Sequence, residues 1–286
     1  MSLNSPFAFK QFLKRTAAMV LVLATLPSCT VNILETFGDP TTDEALLFDA
    51  KELLDAGSYT AALAKFSEMT PEFLAEREVK ILHASAYAGL CGVDFLNITE
   101  ALASLGATRI FVWLVSTFPG GDATKQANCI LAEDKIKSIG ALGTNRTADE
   151  NFLMAFVGIV KMGVILSRYG DTTPADGTAD AGFDPCSGAA IPSADAKEIA
   201  TGFNIVVDAL SNIGGSTVGS DVVTAVATVC ASLPPPYAGL CAAPAQVLTT
   251  DIDATEEQGI RTIINEDQDI GLGSNCAGDA AACACP

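Results

Sequence analysis

Apolar residues recur at helical spacing along most of the chain, and few stretches alternate with the period of two that marks a strand. In "TDEALLFDAKELLDAGSYTAALAKFSEM" (42–69), Leu46, Leu47, Ala50, Leu53 and Leu54 share one helical face. A second set, Ala61, Ala62, Phe66 and Met69, follows Gly57. Two amphipathic helices joined by a tight turn at Gly57-Ser58 are predicted. Gly57 suits the left-handed position that closes a helix, Tyr59 stands where a side chain wedges between the pair, and small Ala62 permits close approach. Further on, "TRIFVWLVSTF" (108–118) is an apolar segment carrying the only Trp, and a helix is expected at about 123–139. "ADENFLMAFVGIVKMGVILSRYG" (148–170) opens acidic, continues apolar and ends basic, which is the polarity of a stable helix. Lys161 interrupts it, leaving runs short of the roughly 18 uncharged residues of a membrane span, so a buried core helix is predicted. "SADAKEIATGFNIVVDALSNI" (193–213) reads as a helix capped by Ser193, "DVVTAVATVCASL" (221–233) as a helix with strand the alternative, and "DATEEQGIRTIINED" (253–267) as a last helix. Between the last two, "LPPPYAGL" is a rigid connector. The fold class predicted is all-α, with antiparallel helical pairs stacked into a single disulfide-stabilised helical domain.

The stretch "GSYTAALAKF" resembles the second half of a tetratricopeptide repeat, with Gly57, Tyr59, Ala62 and Phe66 on the pattern's glycine, large, small and aromatic positions. Thirty-four residues after Asp43, "REVKILHASAYAGL" supplies Ala84 and Tyr87 on first-helix positions, while "DFLNITEALASL" departs from the second-helix pattern. The resemblance therefore covers about one and a half repeats, residues 43–90. It implies stacked helical pairs that form a groove for a peptide or helix.

The N-terminal segment carries a different message. "KQFLKR" (10–15) is basic and "TAAMVLVLATL" (16–26) is uncharged, the two regions of a secretory signal. Leu26-Pro27-Ser28-Cys29 resembles the bacterial lipobox, with Pro27 departing from the usual small or hydroxyl residue. That resemblance implies cleavage before Cys29 and acylation of its new N-terminus. Thr30 stands where an Asp would imply inner-membrane retention, so the outer membrane is expected, with the protein facing the periplasm or the cell surface. "SAYAGLCGVDFL", taken with this leader, is similar to a group of Gram-negative repeat-type lipoproteins without an assigned activity. With Cys29 set aside, eight cysteines remain: Cys91, Cys129, Cys186, Cys230, Cys241, Cys276, Cys283 and Cys285. An even number in an exported chain suits disulfides, of unreadable connectivity, and the rival use is a soft metal at Cys283-Ala-Cys285.

Composition narrows the function. Acidic residues number 34 against 16 basic, for a net charge of −18, and three of the basic ones (Lys10, Lys14, Arg15) precede Cys29. So acidic a chain is a poor ligand for nucleic acid or anionic lipid head groups, since both need Lys and Arg to neutralise phosphate. The 49% hydrophobic content argues for a packed protein. The expected organisation is a signal peptide (1–28), a lipidated tether (29–42), a tetratricopeptide-like region (43–169), an acidic Gly/Asp loop (170–195), a C-terminal helical region (196–275) and a Cys-rich tail (276–286).

In the loop, Asp171, Asp176, Asp180 and Asp184 surround Gly177. Calcium takes six to eight oxygens from such flexible acidic segments, and the alternative is a solvated linker. Asp176-Gly177-x-x-Asp180 resembles part of an extracellular calcium loop, but Thr172 and Pro174 replace its earlier acids. The single histidine, His83, lies within a helix and reads as a packing residue. No G-x-S-x-G or phosphate-loop order occurs. The expectation is a non-catalytic, protein-binding envelope lipoprotein whose partner is another envelope protein or peptide. Its rivals are a hydrolase of envelope polymers working through carboxylates and a calcium-stabilised surface protein with a structural or adhesive role.

Overall fold

The computed structural model describes residues 39–103, 108–213, 248–266, 271–273 and 284–285. Cys29 and the leader, the 221–233 helix, the proline connector and Cys230, Cys241, Cys276 and Cys283 lie outside the described residues. Every regular element among the described residues is helical: α1 (Asp43–Asp55), α2 (Tyr59–Glu68), α3 (Pro71–Leu74), α4 (Arg77–Cys91), α5 (Phe95–Ala103), α6 (Ile110–Thr117), α7 (Ala123–Lys137), α8 (Ala148–Gly170), α9 (Ser193–Asn212) and α10 (Ala254–Asn265). Two 3₁₀ turns, Gly143–Asn145 and Thr249–Asp251, complete the set. The all-α class is thus observed.

The chain divides into two compact units, 1–45 and 46–286. Of the first, the described residues form a capped turn in which Asp39 accepts from the Thr41 N–H and hydroxyl. All that follows concerns the second unit.

Local chemistry sets most helix ends. At the close of α1, Gly57 adopts φ 69°, its N–H donates to the Leu54 carbonyl, and the Ser58 N–H reaches back to that of Leu53. This left-handed double closure satisfies carbonyls that the helix leaves open, and it needs no β-carbon at Gly57. Asp122 caps α7, while Thr147 with Glu150 and Asp253 with Glu256 form reciprocal capping boxes at α8 and α10. Ser193 proves not to be a cap: Pro192 holds that position, and the Ser193 hydroxyl donates instead to Glu257 on α10. Helix α3, opened by Thr70 and Pro71, was not expected from periodicity, because four residues are too few to show a repeat.

The core is built round α8, which packs against α4, α6, α7 and α9. It is the one helix among the described residues long and apolar enough to cross a membrane, and its apolar positions are covered by protein, as expected of a core helix. Against α9 the two backbones nearly touch. A β-carbon on Gly158 would fall 3.0 Å from the Gly202 carbonyl oxygen, and one on Gly202 would lie 3.3 Å from that of Gly158. Glycine at both positions is what allows the approach. The main core draws residues from α4 through α10, on both sides of the 170–195 loop.

A second, smaller core joins α1, α2 and one face of α4 through Leu46, Ala50, Ala62, Phe66, Met69, Val79 and Ala86. Helix α4 is therefore two-faced: Val79 and Ala86 serve the small core, while Ala84, Ala88 and Cys91 serve the large one. Two disulfides, Cys91–Cys129 and Cys186–Cys285, tie α4 to α7 and the acidic loop to the C-terminal tail. The sulfur of Cys285 is thereby committed to Cys186 and leaves no free thiolate for the chelate considered with Cys283.

Candidate interaction surface

Residues on the resembling motif divide between packing and surface. Ala62 and Phe66 are fully buried. Tyr59 rests on α4: a β-carbon at Gly89 would fall 2.4 Å from its ring, so the absence of a side chain there makes the ring's seat. The wedge predicted within the first helical pair thus bears on α4, outside that pair. Phe66 stacks on His83 at 4.7 Å between ring centroids, and His83 stacks on Tyr87 at 5.2 Å. Desolvation, helped by the nearby charge of Lys135, pushes the His83 pKa down to about 4. The imidazole is neutral at ordinary pH and acts as the middle ring of an aromatic column.

On the outer side of α1, Phe48 stands 62% exposed while Leu46 and Ala50 are buried. Asp49 of the same helix holds Lys65 of α2 at 2.8 Å, and Lys51 holds Glu78 of α4 at 2.8 Å. These pairs are solvated and contribute little to stability; they set the edges of the surface on which Phe48 stands. A second apolar outcrop lies on α5, where Leu96 is 81% exposed and Phe95 packs on Phe152 and Phe156 of α8. Large apolar groups held in water by ordered helices are the raw material of a contact surface.

The four aspartates of the acidic loop are spread along it, each occupied by backbone. Asp171, buried, accepts from the Asp176 and Gly177 N–H groups. Asp176 accepts from the Thr178 N–H and Asp184 from that of Cys186. Asp180 takes the Thr172 hydroxyl and N–H and the Thr173 N–H, which hold its carboxyl below the usual range. Among the described residues no three His, Cys, Asp or Glu side chains gather into a metal-holding group. Arg261 of α10 grips the far end of the loop, donating to the carbonyls of Pro185 and Ile191, beside the Cys186–Cys285 bond.

Sequence reading missed two buried ionic centres. Lys161 is wholly buried, with Nζ 2.6 Å from Glu133 Oε2 on α7, 2.8 Å from Glu198 Oε2 on α9 and 2.9 Å from the Thr201 hydroxyl. The Glu133 contact is ionic, without the alignment of a hydrogen bond; Lys137 meets the other Glu133 oxygen. Burial disfavours the ammonium, but the two carboxylates outweigh it and raise the Lys161 pKa. Arg146 is the second centre. It donates to Asn151, to the carbonyls of Gly140 and Ala141, and to Asp208 Oδ2 of α9 at 2.9 Å, fixing the 3₁₀ turn between α7 and α8. A charge alone in an apolar helix signals the first centre; nothing local signals the second, whose partners lie 62 residues apart.

No family model matches the chain, and no curated protein or solved structure matches it.

Proposed function

We propose that the chain is an exported lipoprotein, acylated on Cys29 and held at the bacterial outer membrane, facing the periplasm or the cell surface. Its helical pairs of the tetratricopeptide kind bind another envelope protein or peptide, and the protein is a scaffold without catalysis of its own. The observation that carries this reading is the α1–α2 layer: it seals its own small core against α4 and holds Phe48 62% exposed on the opposite side. The two disulfides among the described residues favour an oxidising compartment, which export provides. The acidic charge favours a partner with a basic rim.

Crosslinking in intact cells followed by mass spectrometry tests the reading on the full chain. The expected products are a lipid-modified N-terminus at Cys29 and one enriched envelope neighbour, lost when Phe48 is replaced by Glu. Recovery of an unmodified monomer with no enriched neighbour would overturn it.

A further inference from the structure

A cavity of about 240 Å³ opens beside α6, lined by Arg109, Val112, Val115, Phe183 and Leu272, with residues 177–182 of the acidic loop forming the remaining wall. Val112, Val115, Phe183 and Leu272 give it an apolar side, of which Val115 and Leu272 are buried. Arg109, the residue directly before α6, is the one cationic group in its lining. Its guanidinium donates from Nη1 to the Gly273 carbonyl at 3.0 Å. A guanidinium offers five N–H donors and keeps its charge at any ordinary pH, so one backbone acceptor leaves most of its capacity unused.

Asp180 also lines the cavity, yet it does not pair with Arg109. Its oxygens are taken by Thr172 and Thr173 within the loop. Among the described residues, ion pairs join other lysines and arginines to acids, and none includes Arg109. In a chain with more than twice as many acids as bases, a half-buried arginine that borders a cavity and makes no ion pair among the described residues has donors to offer an anion.

We propose that this cavity binds a monocarboxylate with a short aliphatic body, the carboxylate on Arg109 and the body against Val112, Val115, Phe183 and Leu272. The volume lies below the roughly 300 Å³ at which pockets for drug-sized ligands begin, which restricts the ligand to a small one. The fixed charge of Asp180 and the acidity of the whole chain disfavour phosphate and other multiply charged anions. A free short-chain acid and the C-terminus of a peptide ending in an aliphatic residue present the same chemistry.

The test is titration of the full chain, followed by calorimetry and by amide chemical shifts, with isovalerate, its neutral analogue isovaleramide, and N-acetyl-alanyl-leucine as acid and as amide. Isovalerate is expected to bind in the millimolar range, and isovaleramide about tenfold more weakly or worse. Arg109→Gln should weaken the acid by a similar factor. Val112→Phe, which keeps the arginine and fills the cavity, should abolish binding. Tighter binding of the dipeptide acid than of isovalerate supports the proposal and identifies a peptide C-terminus; binding of isovalerate alone supports it and identifies a free acid. Equal binding of acid and amide overturns the proposal, as does failure of every acid to bind. Should Arg109→Gln fail to fold, the acid–amide comparison on the unaltered protein still decides. The proposal is independent of the scaffold reading, which stands or falls on the crosslinked neighbour.

Discussion

Replacing Lys161 with methionine would leave Glu133 and Glu198 in the interior between α7, α8 and α9 with their shared cation gone. A buried charge stripped of its partner costs about 3–5 kcal/mol; Glu133 keeps Lys137 and Glu198 is 18% exposed, so the cost falls at the low end of that range. Lys161→Met is therefore expected to lower unfolding stability in denaturant by about that amount. A loss no larger than that of a surface substitution would show that water reaches the cluster. His83 gives a prediction of the other sign. Its pKa falls from 6.5 to about 4 in the folded chain, chiefly by desolvation, so between those values the unfolded chain takes up a proton that the native one refuses. This contribution to stability is whole above about pH 6.5, shrinks as the pH falls toward 4 and levels off below it. Comparing unfolding midpoints of the natural chain and His83→Phe at several pH values isolates it from the carboxylates. The variant should lose less stability over that window, and parallel curves would contradict the stacked, neutral imidazole.

At the scale of elements, the bond between Cys91 and Cys129 fastens the end of α4 to the middle of α7 across a sequence separation of 38. Loop-closure entropy gives such a link about 4 kcal/mol, and measured values commonly run lower, at about 2–4 kcal/mol. Replacing both cysteines with alanine should lower stability within that range, whereas replacing Cys186 and Cys285 should act chiefly on the acidic loop and the tail. Hydrogen exchange by segment separates the two outcomes. The elements themselves were largely legible: the spacing of Leu46, Ala50 and Leu53, the turn at Gly57 and the polarity of 148–170 all place helices where they stand, because helix periodicity and capping are local. What joins the elements was not legible. The Cys186–Cys285 link, the Arg146–Asp208 pair and the facing glycines 158 and 202 depend on residues brought together only by the fold. Even Ser193, a good cap by type, stands one position inside the helix, and its hydroxyl donates to Glu257 of α10. The candidate surface was half visible, since the motif marked Tyr59, Ala62 and Phe66 as structural and gave no sign that Phe48 would remain outside.

Over the whole molecule, stability is unevenly distributed. Among the described residues the small core contains seven buried hydrophobics, three of them alanines, while the large core contains thirty-six. The link between them is a single helix, α4, and its other face belongs to the large core. Opening α1 and α2 therefore exposes little apolar surface and leaves α4 held by α7 and by the Cys91–Cys129 bond, whereas opening α8 dismantles most of the protein. Native-state hydrogen exchange should show α1 and α2 opening as a unit at lower free energy than α8 and α9, with α4 protected at the higher level. Uniform protection across all five helices would mean that the two cores unfold together. The difference matters for the proposed role, because a layer that opens by itself can adjust its surface to a partner without disturbing the core. Binding should then raise the protection of α1 and α2 selectively, since a ligand stabilises most strongly the state it contacts. If the partner instead protected α8 while leaving α1 and α2 unchanged, the interaction surface would have to be sought on the large core, where Phe95 and Leu96 stand exposed.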